Sequence, residues 1–291
     1  MEQVIIMGAG PAGISAALYV KRSGADPLVL DNGIGALEKA EKIENYYGLE
    51  RPLSGAELYE RGLEQARALD IRILKAQVLE IGGFDSFEVI TTQGTFETAS
   101  VILACGNKRL APKIKGLSDL EGKGVSYCAV CDAFFYRQKA VAVLGNGQFA
   151  LHEAEYLSHT AGSTMILTDG KEPEFDLPEG IEVLTGKVEE ICGPDRVTGV
   201  KLQDGEGSRE IPVDGLFVAI GTAGSASIAR QMGAELTDKG NIKVDDTMQT
   251  TIPGLFAAGD CTGGLLQVAK AVHEGAQAGL SAIKYVRSLK A

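Results

Sequence analysis

QVIIMGAGPAG, residues 3–13, is a short apolar run that ends in a glycine turn. A helical run, Ile14–Ser23, follows it, and then a second apolar stretch, Pro27–Leu30, that ends at Asp31. The order strand, glycine turn, helix, strand and acid is typical of a dinucleotide-binding unit. In such a unit the glycines let the backbone approach a pyrophosphate, and the helix N-terminus supplies N–H groups. We predict that Asp31 accepts a hydrogen bond from a ribose hydroxyl.

The same order returns in the middle of the chain. A strand is predicted at Ala140–Leu144, the turn GNGQFA at residues 145–150, a helix at Leu151–Leu157, and a strand at Ser163–Thr168 that ends at Asp169. Alternating segments at residues 86–98 and 196–214 predict β-hairpins. The fold class is therefore α/β, with two Rossmann-like domains of the glutathione-reductase type.

The C-terminal part of the chain bears on how these domains are divided. The segment Thr250–Asp260 is an apolar strand that ends in Gly-Asp, and a long helix of small residues follows at about Leu266–Leu289. An aspartate there can hold a ribityl hydroxyl or a phosphate-bound water, and the helix N-terminus can face a flavin. We predict that residues 1–112 and 246–291 form one discontinuous domain and residues 113–245 a second domain.

Cys128-Ala129-Val130-Cys131-Asp132 is the segment that carries chemistry. Two thiols at this spacing can close a disulfide and reopen it, and the thiolate is the nucleophile in that exchange. A carboxyl group beside the pair can relay the proton. Between two dinucleotide units, the segment indicates an enzyme that moves electrons between a cofactor and a disulfide.

Composition and charge exclude several classes of function. The chain has 291 residues and a formal net charge of −11, so nucleic acid and anionic membranes are poor partners. No apolar run is long enough to span a bilayer, and a first strand near residue 3 leaves no room for a signal peptide, so a cytoplasmic location is expected. The remaining cysteines, Cys105, Cys192 and Cys261, are expected to be structural, and a structural zinc site is not expected.

The chain resembles the low-molecular-weight thioredoxin reductases over nearly its full length. The resemblance is carried by Gly8–Gly13, Ile43–Gly48, Cys128–Asp132 and Phe256–Asp260. It implies that Cys131 lies next to the flavin, that Cys128 attacks the thioredoxin disulfide, and that Asp132 is the acid/base. It also implies a homodimer in which the second domain of each chain rotates relative to the first. The hinges are expected near Ala111–Lys115 and Lys243–Thr247.

The resemblance implies FAD as cofactor. The matching positions are Gly8, Gly10, Pro11, Ala12, Gly13, Asp31, Leu37, Asn45, Val78, Gly106, Asp260, Gln267 and Val268. Asn45 is expected to face the flavin, with Gln267 and Val268 on its pyrimidine side. The family's Gly-Gly-Gln-Leu segment reads Ile34-Gly35-Ala36-Leu37 here, so its glutamine contact to FAD is missing.

The electron donor is where the chain departs from the family pattern. The family's NADPH turn reads Gly-Gly-Gly-Asp-Ser-Ala, but residues 145–150 read GNGQFA, with the bulky Phe149 where the turn should be small. The family's His-Arg-Arg cluster, which holds the 2′-phosphate, is replaced by Thr168–Lys171 and then Glu172, Glu174 and Asp176. Because a 2′-phosphate favours arginine partners, an acidic segment disfavours NADPH.

Several donors remain possible at this point. Residues 145–154 resemble the ferredoxin-dependent flavin thioredoxin reductases, which use no pyridine nucleotide, and we favour ferredoxin. Alternatively, Asp169 binds the ribose of NADH, a second flavin fills the site as in diflavin disulfide oxidoreductases, or NADPH is the donor after all. Rivals of another class are a flavin oxidase and a redox sensor.

The local charge is consistent with an acidic protein donor. Residues 107–139 hold seven basic and three acidic residues, whereas residues 171–214 hold twelve acidic and five basic residues. A basic face in an acidic protein could steer a ferredoxin, and it could equally serve thioredoxin or be a solvated surface. We predict a flavin-dependent disulfide reductase that passes electrons from ferredoxin through FAD and Cys128–Cys131 to thioredoxin.

Overall fold

A computed structural model describes residues 2–33, 35–83, 86–106, 112–205, 207–221 and 224–289. The chain divides into two compact units. The first unit comprises residues 1–108 and 224–291, and the second comprises residues 109–223. The first unit is therefore built from both ends of the chain.

The described residues form sixteen strands and six α-helices. The strands are β1 (Val4–Met7), β2 (Pro27–Asp31), β3 (Arg72–Lys75), β4 (Val78–Gly82), β5 (Phe87–Thr91), β6 (Gly94–Thr98), β7 (Val101–Leu103), β8 (Val125–Ser126), β9 (Ala140–Leu144), β10 (Ser163–Leu167), β11 (Glu182–Leu184), β12 (Lys187–Cys192), β13 (Gly199–Asp204), β14 (Gly207–Pro212), β15 (Gly215–Val218) and β16 (Leu255–Ala257). The α-helices are α1 (Pro11–Arg22), α2 (Gly55–Arg67), α3 (Ala129–Asp132), α4 (Gln148–Ser158), α5 (Ser225–Gln231) and α6 (Val268–Ser288).

A parallel five-stranded sheet forms the centre of the first unit, in the order β16-β7-β1-β2-β3. Its central strand β1 is buried at every position, as expected for a parallel strand covered on both faces. Helices α1 and α6 pack closely because Gly275 and Gly279 of α6 face the backbone of α1. A Cβ atom at Gly275 would overlap the carbonyl oxygen of Ala12. The antiparallel sheet β4-β5-β6 completes the described part of this unit.

The second unit repeats this plan. Its parallel sheet has the order β11-β10-β9-β15-β8, and α4 packs on β9 and β10. The antiparallel sheet β12-β13-β14 follows in sequence. The α/β fold with Rossmann-like parallel sheets predicted from the sequence is thus confirmed.

The chain passes from one unit to the other twice, and the second of these points differs from the predicted one. The segment 224–245, predicted to belong to the second domain, lies in the first unit. Ser225 accepts a hydrogen bond at 3.2 Å from the backbone nitrogen of Cys105, and Ile242 donates one at 2.8 Å to the carbonyl of Cys261. The predicted hinge at Lys243–Thr247 is therefore not at the junction, which falls at 223/224. The other predicted hinge begins at Ala111, outside the described residues.

Within the described residues, no helix is both long and apolar enough to cross a membrane.

Candidate active site

Glycines shape the turn after β1. Gly8 has a φ of +101°, and a Cβ atom there would lie 2.6 Å from the carbonyl oxygen of Ala104. A Cβ atom at Gly13 would overlap the carbonyl oxygen of Gly8, whereas the space beside Gly10 is open. Pro11 begins α1, and Gly10 offers its N-terminus no side-chain cap. The glycines thus bring strand and helix together and leave room for a ligand beside the turn.

Asp31 ends β2, as predicted, and it has a partner that the sequence pattern did not indicate. Its Oδ1 accepts a hydrogen bond from the hydroxyl of Tyr59 at 2.5 Å and one from the backbone nitrogen of Gly33 at 2.9 Å. Tyr59 lies on α2 and is buried. The tyrosine and the Gly33 amide thus fix the carboxylate at the end of the strand.

Asn45 and Gln267 were both predicted to contact the flavin, and the structure brings them together. The Asn45 side-chain amide donates to Oε1 of Gln267 at 2.9 Å, although the residues are 222 positions apart. Gln267 precedes Val268 at the start of α6, where no side chain caps the helix. The other residues predicted to contact FAD lie in three separate elements. Leu37 lies in a 3₁₀ turn, Val78 begins β4, and Gly106 follows β7 with a φ of +72°. Ile34 lies outside the described residues.

A partly buried ion pair supports the loop that carries Asp260. Lys270 Nζ lies 2.9 Å from Glu274 Oε2 and donates to the carbonyl oxygen of Gly259 at 2.7 Å. Glu274 accepts from the backbone nitrogen of Gly259 at 2.9 Å, and Thr262 is hydrogen bonded to both charged side chains. No sequence motif links the helix to the loop, so this network was not predictable from the sequence.

These residues of the first unit fit FAD. The open space beside Gly10 admits a pyrophosphate at the N-terminus of α1, which has no side-chain cap and whose dipole favours negative charge. Asp31 offers carboxylate oxygens for a ribose, and the uncapped N-terminus of α6 lies next to Asn45 and Gln267. FAD is the cofactor that this donor set suits.

Cys128 and Cys131 form a disulfide at the start of α3 in the second unit. Cys128 is buried, with 4% of its surface exposed, whereas Cys131 is exposed. The backbone nitrogen of Cys131 donates to the Cys128 sulfur at 3.1 Å. The two sulfurs therefore have different surroundings, which suits two different tasks.

Asp132 is fixed by Ser126, the second residue of β8. The Ser126 hydroxyl lies 2.6 Å from Oδ2 of Asp132 and accepts from the backbone nitrogen of Cys128 at 3.1 Å. Ser126 thus links the predicted acid/base to the peptide of the buried cysteine. The sequence analysis did not identify it, because the serine precedes the motif.

Glu153 is a second carboxylate at the redox motif. It lies on α4, is only 2% exposed, and accepts a hydrogen bond from the backbone nitrogen of Ala129 at 2.7 Å. Ala129 is the residue after Cys128. The disulfide segment is therefore held by a buried acid 24 residues further along the chain.

The glycine turn of the second unit is hydrogen bonded to an acidic segment. The Asn146 side chain donates to the carbonyl of Glu172 at 3.1 Å and to Oε1 of Glu174 at 3.2 Å. The backbone nitrogen of Glu174 donates to the carbonyl of Asn146 at 2.7 Å. A Cβ atom at Gly147 would lie 3.8 Å from Glu174 Oε2. The carboxylate thus lies against the turn at the N-terminus of α4.

Two further residues bear on whether a nucleotide binds here. Phe149, predicted to make the turn too narrow for a phosphate, is buried. It is the second residue of α4, which begins at Gln148. Asp169 Oδ1 forms an ion pair with Lys187 at 2.9 Å and accepts from the backbone nitrogen of Val188 at 3.0 Å. The Asp169 carboxylate is thus bound to two residues of β12.

Aromatic and basic side chains lie on the surface beside the disulfide segment. Phe134 and Phe135 are 71% and 67% exposed, and the Arg137 guanidinium lies 5.7 Å from the centre of the Phe134 ring. We call Phe134, Phe135 and Arg137 the aromatic patch. Of the other basic residues counted in the sequence, Lys115 pairs with Glu190, and Lys108 and Arg109 lie outside the described residues.

Known proteins match this chain over nearly its full length. The family model for pyridine nucleotide-disulphide oxidoreductases matches residues 2–275. The thioredoxin reductase of Aquifex aeolicus is 36% identical over 304 residues, which cover 99% of this chain and 94% of that protein.

Two solved structures are also similar. The atypical thioredoxin reductase TRi from Desulfovibrio vulgaris Hildenborough is 38% identical, with a TM-score of 0.90 and 99% of each chain covered. A ferredoxin-flavin thioredoxin reductase from Clostridium acetobutylicum is 33% identical, with a TM-score of 0.71, and 99% of this chain and 98% of that one are covered. Together with the disulfide and the FAD-type cradle, these similarities show that the chain belongs to the FAD-binding thioredoxin reductases of the pyridine nucleotide-disulphide oxidoreductase family.

Proposed function

We propose that this flavoenzyme takes its electrons from reduced ferredoxin and passes them through the Cys128–Cys131 pair to thioredoxin or a thioredoxin-like protein. The observation that carries the choice of donor is the contact between Asn146 and Glu174 at the second glycine turn. A pyridine nucleotide would need this turn for its own phosphates.

Charge and geometry at the turn both disfavour a nucleotide. Phosphates bind at helix N-termini because unpaired N–H groups and the helix dipole attract negative charge. Here the Glu174 carboxylate already lies against that position, and two like charges a few ångströms apart repel each other. The NADH alternative needs Asp169, whose Oδ1 pairs with Lys187 and accepts from the backbone nitrogen of Val188, so that only Oδ2 is left for a ribose.

The similarity to the ferredoxin-flavin enzyme supports the same donor. When bound, FAD supplies a carrier that accepts single electrons and passes on pairs, which suits a one-electron donor protein. A second flavin in the second unit and NADPH remain the alternatives, and both need space beside the same turn.

The protein's own residues carry out the exchange with the partner disulfide. The Cys128 thiolate attacks one sulfur of the partner and forms a mixed disulfide, and the partner's other sulfur leaves and is protonated. Cys131 then attacks Cys128, which closes the Cys128–Cys131 disulfide and releases the reduced partner. Asp132, held by Ser126, exchanges the proton as the pair opens and closes.

The aromatic patch supports a protein as the substrate. Two exposed phenylalanines with an arginine are typical of protein-binding surfaces, where aromatic residues and arginine are enriched. Because Cys128 is buried, it has to become exposed when the partner binds, and we place that motion at the junctions 108/109 and 223/224. We further propose that the protein is cytoplasmic and forms a homodimer. Light scattering of the purified holoprotein would check the dimer.

One anaerobic experiment tests the proposed donor. The FAD-loaded protein is mixed with NADPH, NADH or chemically reduced ferredoxin, and loss of the oxidised flavin absorbance is followed. We expect rapid loss only with ferredoxin, followed by reduction of thioredoxin. Rapid loss with NADPH or NADH refutes the donor, and two flavins per chain support the diflavin alternative. Reduction by ferredoxin without any reduction of thioredoxin identifies an oxidase or a sensor instead.

A further inference from the structure

We propose that Glu153 is a positioning residue of the redox disulfide, and that its buried negative charge keeps the Cys128–Cys131 pair more reducing. This inference rests on the proposed function only in taking Cys128 and Cys131 as the working pair. It concerns a side chain outside the CxxC motif and outside the turn at residues 145–150.

The contact itself is short and shielded from water. Oε2 of Glu153 lies 2.7 Å from the backbone nitrogen of Ala129, and the Glu153 side chain is 2% exposed. Ala129 is fully buried and begins α3 immediately after Cys128. A hydrogen bond to a charged acceptor in such surroundings is stronger than one at the surface. Glu153 thereby fixes the peptide that joins the buried cysteine to the helix.

The same contact affects the reduced state. Backbone N–H groups near a cysteine stabilise its thiolate and so make the dithiol easier to form. The backbone nitrogen of Cys131 already points to the Cys128 sulfur, at 3.1 Å. The Ala129 N–H instead donates to Glu153. In its ionised form this carboxylate opposes a second negative charge on the neighbouring sulfur.

The redox consequence follows from the balance of the reaction. Reduction of the disulfide takes two electrons from the flavin and breaks the bond between the two sulfurs. At neutral pH it also takes up two protons to give two thiols, or one proton to give a thiol and a thiolate. A group that disfavours the thiolate disfavours the reduced state, so the midpoint potential becomes more negative. A more negative potential favours electron transfer onward to a thioredoxin disulfide.

Glu153→Gln is the decisive variant, because it removes the charge and keeps an oxygen that can accept from Ala129. We expect the equilibrium between disulfide and dithiol, measured against a dithiothreitol redox buffer, to shift about tenfold toward the dithiol. That shift corresponds to a midpoint potential about 30 mV less negative. We also expect the Cys128 thiol of the reduced variant to react with iodoacetamide at lower pH than in the wild type.

Glu155→Gln is the matched control, because Glu155 lies on the same helix and is exposed. It should leave both the potential and the labelling profile unchanged. Near-ultraviolet circular dichroism and bound flavin verify that each variant is folded. If Glu153→Gln is folded and its potential and labelling profile equal those of the wild type, the inference is wrong. Absence of reversible reduction of the wild-type disulfide would instead overturn the proposed function, which separates the two failures.

Discussion

Lys270 and Glu274 hold the peptide groups of Gly259 from both sides. The lysine donates to the Gly259 carbonyl oxygen at 2.7 Å, and the glutamate accepts from the Gly259 nitrogen at 2.9 Å. Gly259 has a φ of +88°, a conformation that favours glycine, and it precedes Asp260. The ion pair therefore fixes the loop that carries a predicted FAD ligand.

Lys270→Met should weaken FAD binding by about tenfold, because the loop loses one of its two attachments and Glu274 is left without its ion-pair partner. Fluorescence titration of the apoprotein with FAD measures the dissociation constant. The free energy of unfolding should also fall, by about 2 kcal/mol, since a partly buried carboxylate loses its counter-charge and the Gly259 carbonyl oxygen loses a charged donor. Lys284→Met, an exposed position on the same helix, is the control. Equal FAD affinity in the two variants would show that the pair does not support the loop.

Local sequence patterns predicted the parts of the fold that are themselves local. The turn after β1 and the turn after β9 lie where glycine spacing placed them, because each strand, turn and helix is consecutive in the chain. Asp31 was identified in the same way, at the end of β2. The CxxC segment was identified from spacing alone, and its two sulfurs form a disulfide.

Contacts between distant residues were not predictable in this way. Tyr59 reaches Asp31 from a different helix, and Glu153 reaches Ala129 across 24 residues. The burial of Phe149 was not predictable either, because it depends on α4 beginning at Gln148 and not at the predicted Leu151. The segment 224–245 was assigned to the wrong side of the division because its attachment runs through Ser225 and Cys105, 120 residues apart.

Cys261 should be inert toward thiol reagents in the folded protein. It is fully buried, and burial raises the pKa of its thiol to about 12. Because the thiolate is the reactive form, iodoacetamide at pH 8 should modify Cys261 only after unfolding. Cys192 is partly exposed and should react sooner, although burial also raises the pKa of its thiol. Mass spectrometry of the oxidised holoprotein measures both. Labelling of Cys261 at the rate of Cys192 would contradict the burial described here.

Tyr59 should make the protein sensitive to alkali. Burial, and then the hydrogen bond to Asp31, raise the pKa of Tyr59 above its usual value of 10. The folded state therefore retains the proton while the unfolded state loses it, so this contribution to stability is complete below pH 10 and is lost as the pH rises further. Thermal unfolding between pH 8 and pH 11 should show a smaller loss in Tyr59→Phe than in the wild type. Parallel curves for the two proteins would argue against this role.

Cys128→Ser should abolish reduction of thioredoxin, by at least a hundredfold, while the flavin is still reduced by its donor. The serine hydroxyl cannot form the mixed disulfide, whereas the FAD site lies in the other compact unit and keeps its residues. Stopped-flow absorbance follows the flavin, and an insulin-coupled assay follows thioredoxin. Cys192→Ser is the control and should behave as the wild type. Turnover retained in Cys128→Ser would mean that another thiol attacks the partner.

Glu174→Gln should make the second glycine turn more accessible to a phosphate group. The carboxylate lies against Gly147 and is hydrogen bonded to Asn146, so removing its charge removes a repulsion of about 1 kcal/mol for a nucleotide phosphate at this partly solvated position. Calorimetric titration with NADPH should therefore give about fivefold tighter binding than in the wild type. Glu172→Gln is the matched control, because Glu172 contacts the turn through its backbone carbonyl and its side chain is exposed. If both variants bind NADPH as weakly as the wild type, Glu174 does not exclude the nucleotide.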